Sequence, residues 1–179
     1  NTHDRGTAGT GFWFRGQNNY MRNNVAADHA ASGYSINAYR LGNESTTIPV
    51  SQGSLTRKPV NINTLPILEF SNNECYGPAF FGLDLWEIGS TGETLYDVAV
   101  STIKDFTAWH VRNRVIDFYR SHRILLDGVV IRGDIPSLSS RFNNPVGISL
   151  VSVYRVRNYT VRNADIQGMR VGIDVGLRV

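Results

Sequence analysis

VSTIKDFTAWHVRNRVIDFYRSHRILLDGVVIRG, residues 100–133, decides the fold, because one structural unit is written in it twice without interruption. Ile103-Lys104-Asp105-Phe106-Thr107-Ala108 recurs as Leu125-Leu126-Asp127-Gly128-Val129-Val130, which sets the two Asp anchors 22 residues apart. Self-similarity at such a period is the mark of stacked repeats. Between the copies, Val115-Ile116-Asp117-Phe118-Tyr119 alternates, with Ile116 and Phe118 on one face and Asp117 and Tyr119 on the other. A unit of two short strands cannot bury its apolar face alone, so copies are expected above and below it.

Working outward, three more stretches fit the anchor pattern: Met21 to Ala26, Phe70 to Cys75 and Val161 to Ile166. The anchors Asn23, Asn72, Asp105, Asp127 and Asn163 each have an apolar residue two before and a small or apolar one three after. Their gaps of 49, 33, 22 and 36 residues become regular once insertions are removed. Residues 41–66, 87–97 and 134–145 read as such insertions, being rich in Ser, Thr, Asn, Gly or Pro. No amphipathic run of helical period follows any candidate cap, and the segments around the anchors are β-branched, aromatic and alternating. The expected architecture is a coil of strands with surface excursions.

Single-domain size (179 residues) and 41% apolar content allow a continuous core over residues 1–179. The net charge of +3, from 18 basic and 15 acidic residues, is spread along the chain and gives no footprint for nucleic acid. Cys75 is the single cysteine, which excludes an internal disulfide framework. No run approaches the ~18 apolar residues of a membrane span, so no membrane insertion is expected. Neither terminus carries an evident polar cap of the kind that shields the ends of repeat proteins, which reads as a fragment of a longer protein and suggests end-to-end self-association.

Gly9 to Gly16, Asn18 to Ala27 and Asp127 to Asp134 resemble the parallel β-helix repeats of the pectate-lyase-like superfamily, closest in flavour to the secreted, multidomain group of cell-surface hyaluronidases, fibrocystin-like proteins and their bacterial relatives. The resemblance covers most of the chain outside the three insertions. It implies an all-β, right-handed parallel β-helix of five or six turns and a secreted or cell-surface location. The Asp-Asp pair, Gly-His-Gly and Arg-x-Lys signatures of pectin-hydrolysing members do not occur here, and the calcium-binding acids of pectate lyases have no position-by-position match. No catalytic residue is carried over from the family, since one fold hosts many functions.

Candidate chemistry comes instead from aligning the second strand of each unit: Ile36 to Tyr39, Leu83 to Trp86, Ile116 to Tyr119, Ile148 to Val151 and Ile173 to Gly176. With the first and third positions inward, one outward column reads Asn37, Asp84, Asp117, Ser149, Asp174, and its neighbour Tyr39, Trp86, Tyr119, Val151, Gly176. Strands ~4.8 Å apart bring Asp84 and Asp117 together. Repulsion between them invites a shared proton, a basic partner or a bound cation, although no cofactor or metal is expected. The spacing also suits a retaining glycosidase, with one acid as nucleophile and the other as general acid. Tyr39, Trp86 and Tyr119 offer flat apolar faces for sugar rings, and Asp174 a polar contact.

His110 and His122 flank this region, and His110 is the candidate acid or base. The ordinary alternative for the acids is surface pairing with Arg114 or Arg120, and for the aromatics, packing beneath an insertion. Arg22, Lys104 and Arg162, each one before its anchor, form a basic column that suits an anionic polysaccharide or simply solvent. Asn43 and Asn158 head glycosylation sequons, and Arg132-Gly133-Asp134 reads as a chance tripeptide. The expected function is a secreted carbohydrate-active module that binds or cleaves a polysaccharide, as hydrolase or lyase if catalytic. The alternative is a non-catalytic structural or adhesive stalk.

Overall fold

A computed structural model describes residues 8–38, 47–48, 59–89, 100–134, 145–150 and 158–176. After β1 (Phe12–Phe14) the chain winds through five turns of three strands each. These are β2 (Tyr20–Arg22), β3 (Val25–Ala27) and β4 (Tyr34–Asn37), then, past the short pair β5 (Thr47–Ile48) and β6 (Val60–Asn61), β7 (Glu69–Ser71), β8 (Glu74–Tyr76) and β9 (Phe81–Trp86). There follow β10 (Ser101–Lys104), β11 (Thr107–Trp109) and β12 (Arg114–Tyr119); β13 (Ile124–Asp127), β14 (Val130–Arg132) and β15 (Val146–Ser149); and β16 (Tyr159–Arg162), β17 (Asp165–Gln167) and β18 (Val171–Asp174).

Corresponding strands stack into three parallel sheets: a leading sheet β2-β7-β10-β13-β16, a middle sheet β3-β8-β11-β14-β17, and a trailing sheet β1-β4-β9-β12-β15-β18. The molecule is a right-handed parallel β-helix, the hand that strand-to-parallel-strand crossovers take almost without exception. The repeating unit thus has three strands rather than the two expected. The anchor is a corner between a leading and a middle strand, and the residues on both sides of it are extended.

That corner corrects the repeat alignment. Asn23, Asn72, Asp105, Gly128 and Asn163 hold φ between 49° and 75°, the left-handed region that Gly adopts freely and Asn or Asp tolerate. Asp127 is still in its strand, paired with Lys104. The register therefore slides by one residue, with Ile103 opposite Leu126 and Asp105 opposite Gly128. Chemical likeness matches Asp105 with Asp127, whereas backbone conformation selects Gly128.

The slide also dissolves the basic column. Its members in register are Arg22, Ser71, Lys104, Asp127 and Arg162. Arg162 donates to Asp127 Oδ2 at 2.8 Å, so an acid stands between the two cations. Arg22 in turn meets Glu69 at 3.1 Å.

In the first two turns the residue after the corner is an asparagine, Asn24 and Asn73, and the two link neighbouring turns. Asn73, fully buried, donates from Nδ2 to the Met21 carbonyl at 2.8 Å and accepts from the backbone N–H and side-chain amide of Asn24. In the next turns the same position is held by Phe106 and Val129, both fully buried, so the polar ladder gives way to apolar stacking.

The core runs along the coil axis, one column per inward position: Met21, Phe70, Ile103 and Leu126 from the leading sheet, Ala26, Cys75, Ala108 and Ile131 from the middle one. Tyr34 sits among them, stacked on Phe12 at 5.0 Å and edge-on to Phe70 at 5.4 Å. Its hydroxyl donates to the carbonyls of Asn24 and Glu74. Burial, followed by the nearby Cys75 and Glu74 charges, pushes its ionisation well above the usual tyrosine range. Burial likewise raises the Cys75 thiol to about 12, leaving it an inert core group.

Of the expected insertions, 41–66 contains the antiparallel pair β5-β6 and a short 3-10 turn at Ile62–Thr64. Most of 87–97 and of 134–145 lies outside the described residues. The connection 150–158 is longer than its counterpart 120–123 and was not foreseen as an insertion.

Candidate functional site

The outward positions of the trailing sheet carry the candidate chemistry. Leu83, Leu85, Ile116 and Phe118 are fully buried in the core, which turns the intervening Asp84 and Asp117 to the opposite face. Those two acids are register partners on β9 and β12, one strand spacing of ~4.8 Å apart along the coil. Ser149 and Asp174 continue the column, as expected.

Its beginning differs. Tyr34, not Ile36, pairs with Leu83, so Ser35 is the neighbour of Asp84, and Asn37 pairs with Trp86. From the sequence, Ile36 is the first inward residue of this strand. Tyr34 fills that role because its ring reaches the aromatic core while its hydroxyl finds two carbonyls. Trp13 on β1, unmarked in the sequence, heads the column opposite Ser35. A short apolar strand with no copy before it offered no pattern to find it by.

The column is not an open surface. Ser35, Asp84 and Ser149 are at most 1% exposed and Asp117 8%. Inside such a column each charge needs a partner. The Ser35 hydroxyl approaches Asp84 Oδ2 at 3.4 Å, and Arg114 donates to Asp117 Oδ1 at 2.9 Å. The Asp117 side chain retains 11% exposure against 42% for Arg114, so this pair lies at the margin of the buried column rather than on the free surface. Arg114 thus places a positive charge beside Asp117, and Asp84 lies one strand further along the same column. Among the described residues no group of three or more His, Cys, Asp or Glu is arranged to hold a metal.

Trp86 and Tyr119, also register partners, put their ring centroids 4.3 Å apart at an interplanar angle of 43°. Both are half-buried, and the Arg120 guanidinium lies over the Tyr119 ring at 5.2 Å while also meeting Glu87 at 3.3 Å. Tyr39 lies outside the described residues. Asp174 closes the column at β18, where its Oδ1 accepts the Gly176 N–H at 3.0 Å, a local turn contact.

His110 occupies the corner between β11 and β12, with φ 52°. Its Nδ1 lies 3.9 Å from the Asp134 carboxylate, and both side chains are well exposed. The fold places it in the corner of the turn, not in the column with Asp84 and Asp117. His122 is 6% exposed in the corner before β13, its N–H donating to the Ile88 carbonyl. The Asn158 sequon position precedes β16, while Asn43 is outside the described residues.

Comparison with protein families, with curated proteins and with solved structures found no match.

Proposed function

We propose that the chain is a secreted carbohydrate-active β-helix module that binds or cleaves an extracellular polysaccharide along the trailing sheet. The carrying observation is the in-register pair Asp84 and Asp117 beside the adjoining rings of Trp86 and Tyr119. Two carboxylates at that spacing suit hydrolysis through a covalent intermediate. In this reading Asp117, at the margin and charge-paired with Arg114, is the carboxylate a substrate meets, and Asp84 behind it is the proton-carrying partner. The half-buried rings rest against the sugar. The resemblance of the repeats to the pectate-lyase-like superfamily supports the same substrate class and location.

A second reading, a non-catalytic structural or adhesive stalk, is favoured by the near-complete burial of Ser35, Asp84 and Ser149. In it the column is a polar seam that knits successive turns.

The test is incubation with a panel of polysaccharides, scored for binding and for new reducing or unsaturated ends. The enzyme reading expects products from the wild type and a loss of at least ~100-fold in Asp117→Asn, with an unchanged melting temperature. Binding without products reduces the function to carbohydrate recognition, and neither binding nor products leaves the stalk.

A further inference from the structure

The outer face of the middle sheet carries a second aromatic pair, unrelated to the acids of the trailing sheet. Tyr76 on β8 and Trp109 on β11 are register partners, with ring centroids 6.1 Å apart and planes at 64°. Tyr76 is 38% exposed and Trp109 half-buried. The residues between the outward positions, Cys75 and Ala108, are fully buried, so alternation directs both rings away from the core.

The charges around the rings indicate what the face would accept. Arg132, next to Trp109 in the same column, is taken up by the Asp165 carboxylate, to which Gln167 also donates. His110 at the adjoining corner faces Asp134. The exposed Glu74, in the neighbouring outward column beside Thr107, has no ion-pair partner among the described residues. Among the outward residues of these two columns the charge left without an ion-pair partner is thus that of Glu74, which disfavours an acidic polymer there; the exposed Arg112 lies beyond the corner at His110, outside both columns. An uncharged ligand with an apolar ring face and hydroxyl groups is complementary: the rings take its C–H face, and the Glu74 carboxylate and Thr107 hydroxyl take its hydroxyls.

We propose that the outer face of the middle sheet is a binding site for a neutral saccharide, seated against Trp109 and Tyr76 with Glu74 as hydrogen-bond acceptor. It uses no residue of the trailing-sheet column and stands whether or not that column is catalytic.

A cross-strand ring pair also stiffens a sheet, so the experiment must separate binding from stability. The full chain is titrated calorimetrically with neutral oligosaccharides (cello-, xylo-, malto- and chito-oligomers) and with oligogalacturonate as the acidic probe. Expected is saturable binding of at least one neutral oligomer, weakened at least ~10-fold in Trp109→Ala and Tyr76→Ala, a loss the size that one ring contact supplies. Trp109→Phe retains binding, Glu74→Gln weakens it, and Tyr20→Ala, an exposed ring on the leading sheet, leaves it unchanged. The proposal is overturned if no neutral oligomer binds, if oligogalacturonate binds more tightly, or if Trp109→Ala binds like the wild type. Binding lost in Asp117→Asn but kept in Trp109→Ala would seat the sugar on the trailing sheet, overturning this inference and leaving the proposed function standing.

Discussion

Single side chains act in this molecule chiefly through the corners they permit. Asn73 satisfies three partners in one buried corner, and Asn73→Ala orphans the Asn24 N–H and the Met21 carbonyl. The expected cost is about 2–3 kcal/mol in denaturant unfolding; a change below ~0.5 kcal/mol would show that water replaces the amide. At Gly128, with φ 75°, an added Cβ would lie 2.3 Å from Asp105 Oδ1. Gly128→Ala should therefore destabilise by more than ~1 kcal/mol, while Asn163→Gly, at φ 52° with an exposed side chain, should cost less. On the exposed flank, hydrogen bonds from Arg162 and Asn163 hold the Asp127 carboxyl below its usual range. A carboxyl lowered in the fold stabilises above its unfolded pKa of ~3.9 and loses that contribution as pH falls through the folded value. In Arg162→Ala the NMR titration of Asp127 should move upward; an unmoved midpoint would assign the shift to another group.

At the level of elements, the bend into the trailing sheet is shaped by close backbone approach. An added Cβ on Gly33 would lie 2.2 Å from the Cys75 sulfur and 3.0 Å from the Gly82 carbonyl oxygen. Gly33→Ala should destabilise by about 1–3 kcal/mol, the usual range for overpacking. Combined with Cys75→Ala, the loss should be less than the sum of the two single changes, because the nearest clash is with Sγ. Strict additivity in the double-mutant cycle would place the strain on the Gly82 carbonyl instead. Alternation read from Ile36 gives the faces of β4 correctly. What it misses is that the strand starts two residues earlier, at Tyr34, so that Ile36 meets Leu85 rather than Leu83.

For the whole molecule, stability is a sum over neighbouring turns. Inward residues are sealed in the middle of the coil, with Leu126 at 1% and Ile131 and Ile148 at 0% exposure. Their column mates one turn on are half-buried at Val161 and Ile166 and 42% exposed at Ile173. Amide exchange should accordingly be slowest in β9 to β12 and fastest in β16 to β18. Uniform protection across all five turns would indicate all-or-none opening rather than propagation from the exposed end.

The alternation of Ile116, Asp117, Phe118 and Tyr119, the recurring Asn or Asp corners and the absence of a helical period by themselves determine a coiled stack of strands. Local chemistry sets each of those features: side-chain direction alternates along a strand, and few residues accept a left-handed corner. The pairing of Asp84 with Asp117 was legible too, because β9 and β12 share an apolar frame of the same length. Tertiary structure alone decided that the unit has three strands, that Gly128 and not Asp127 turns the corner, and that Ser35 adjoins Asp84. It also decided that the acid column is buried while Tyr76 and Trp109 face outward. Register and burial are set by which neighbour a residue meets a full turn away, and that distance is erased from the sequence wherever an insertion changes the length of the turn.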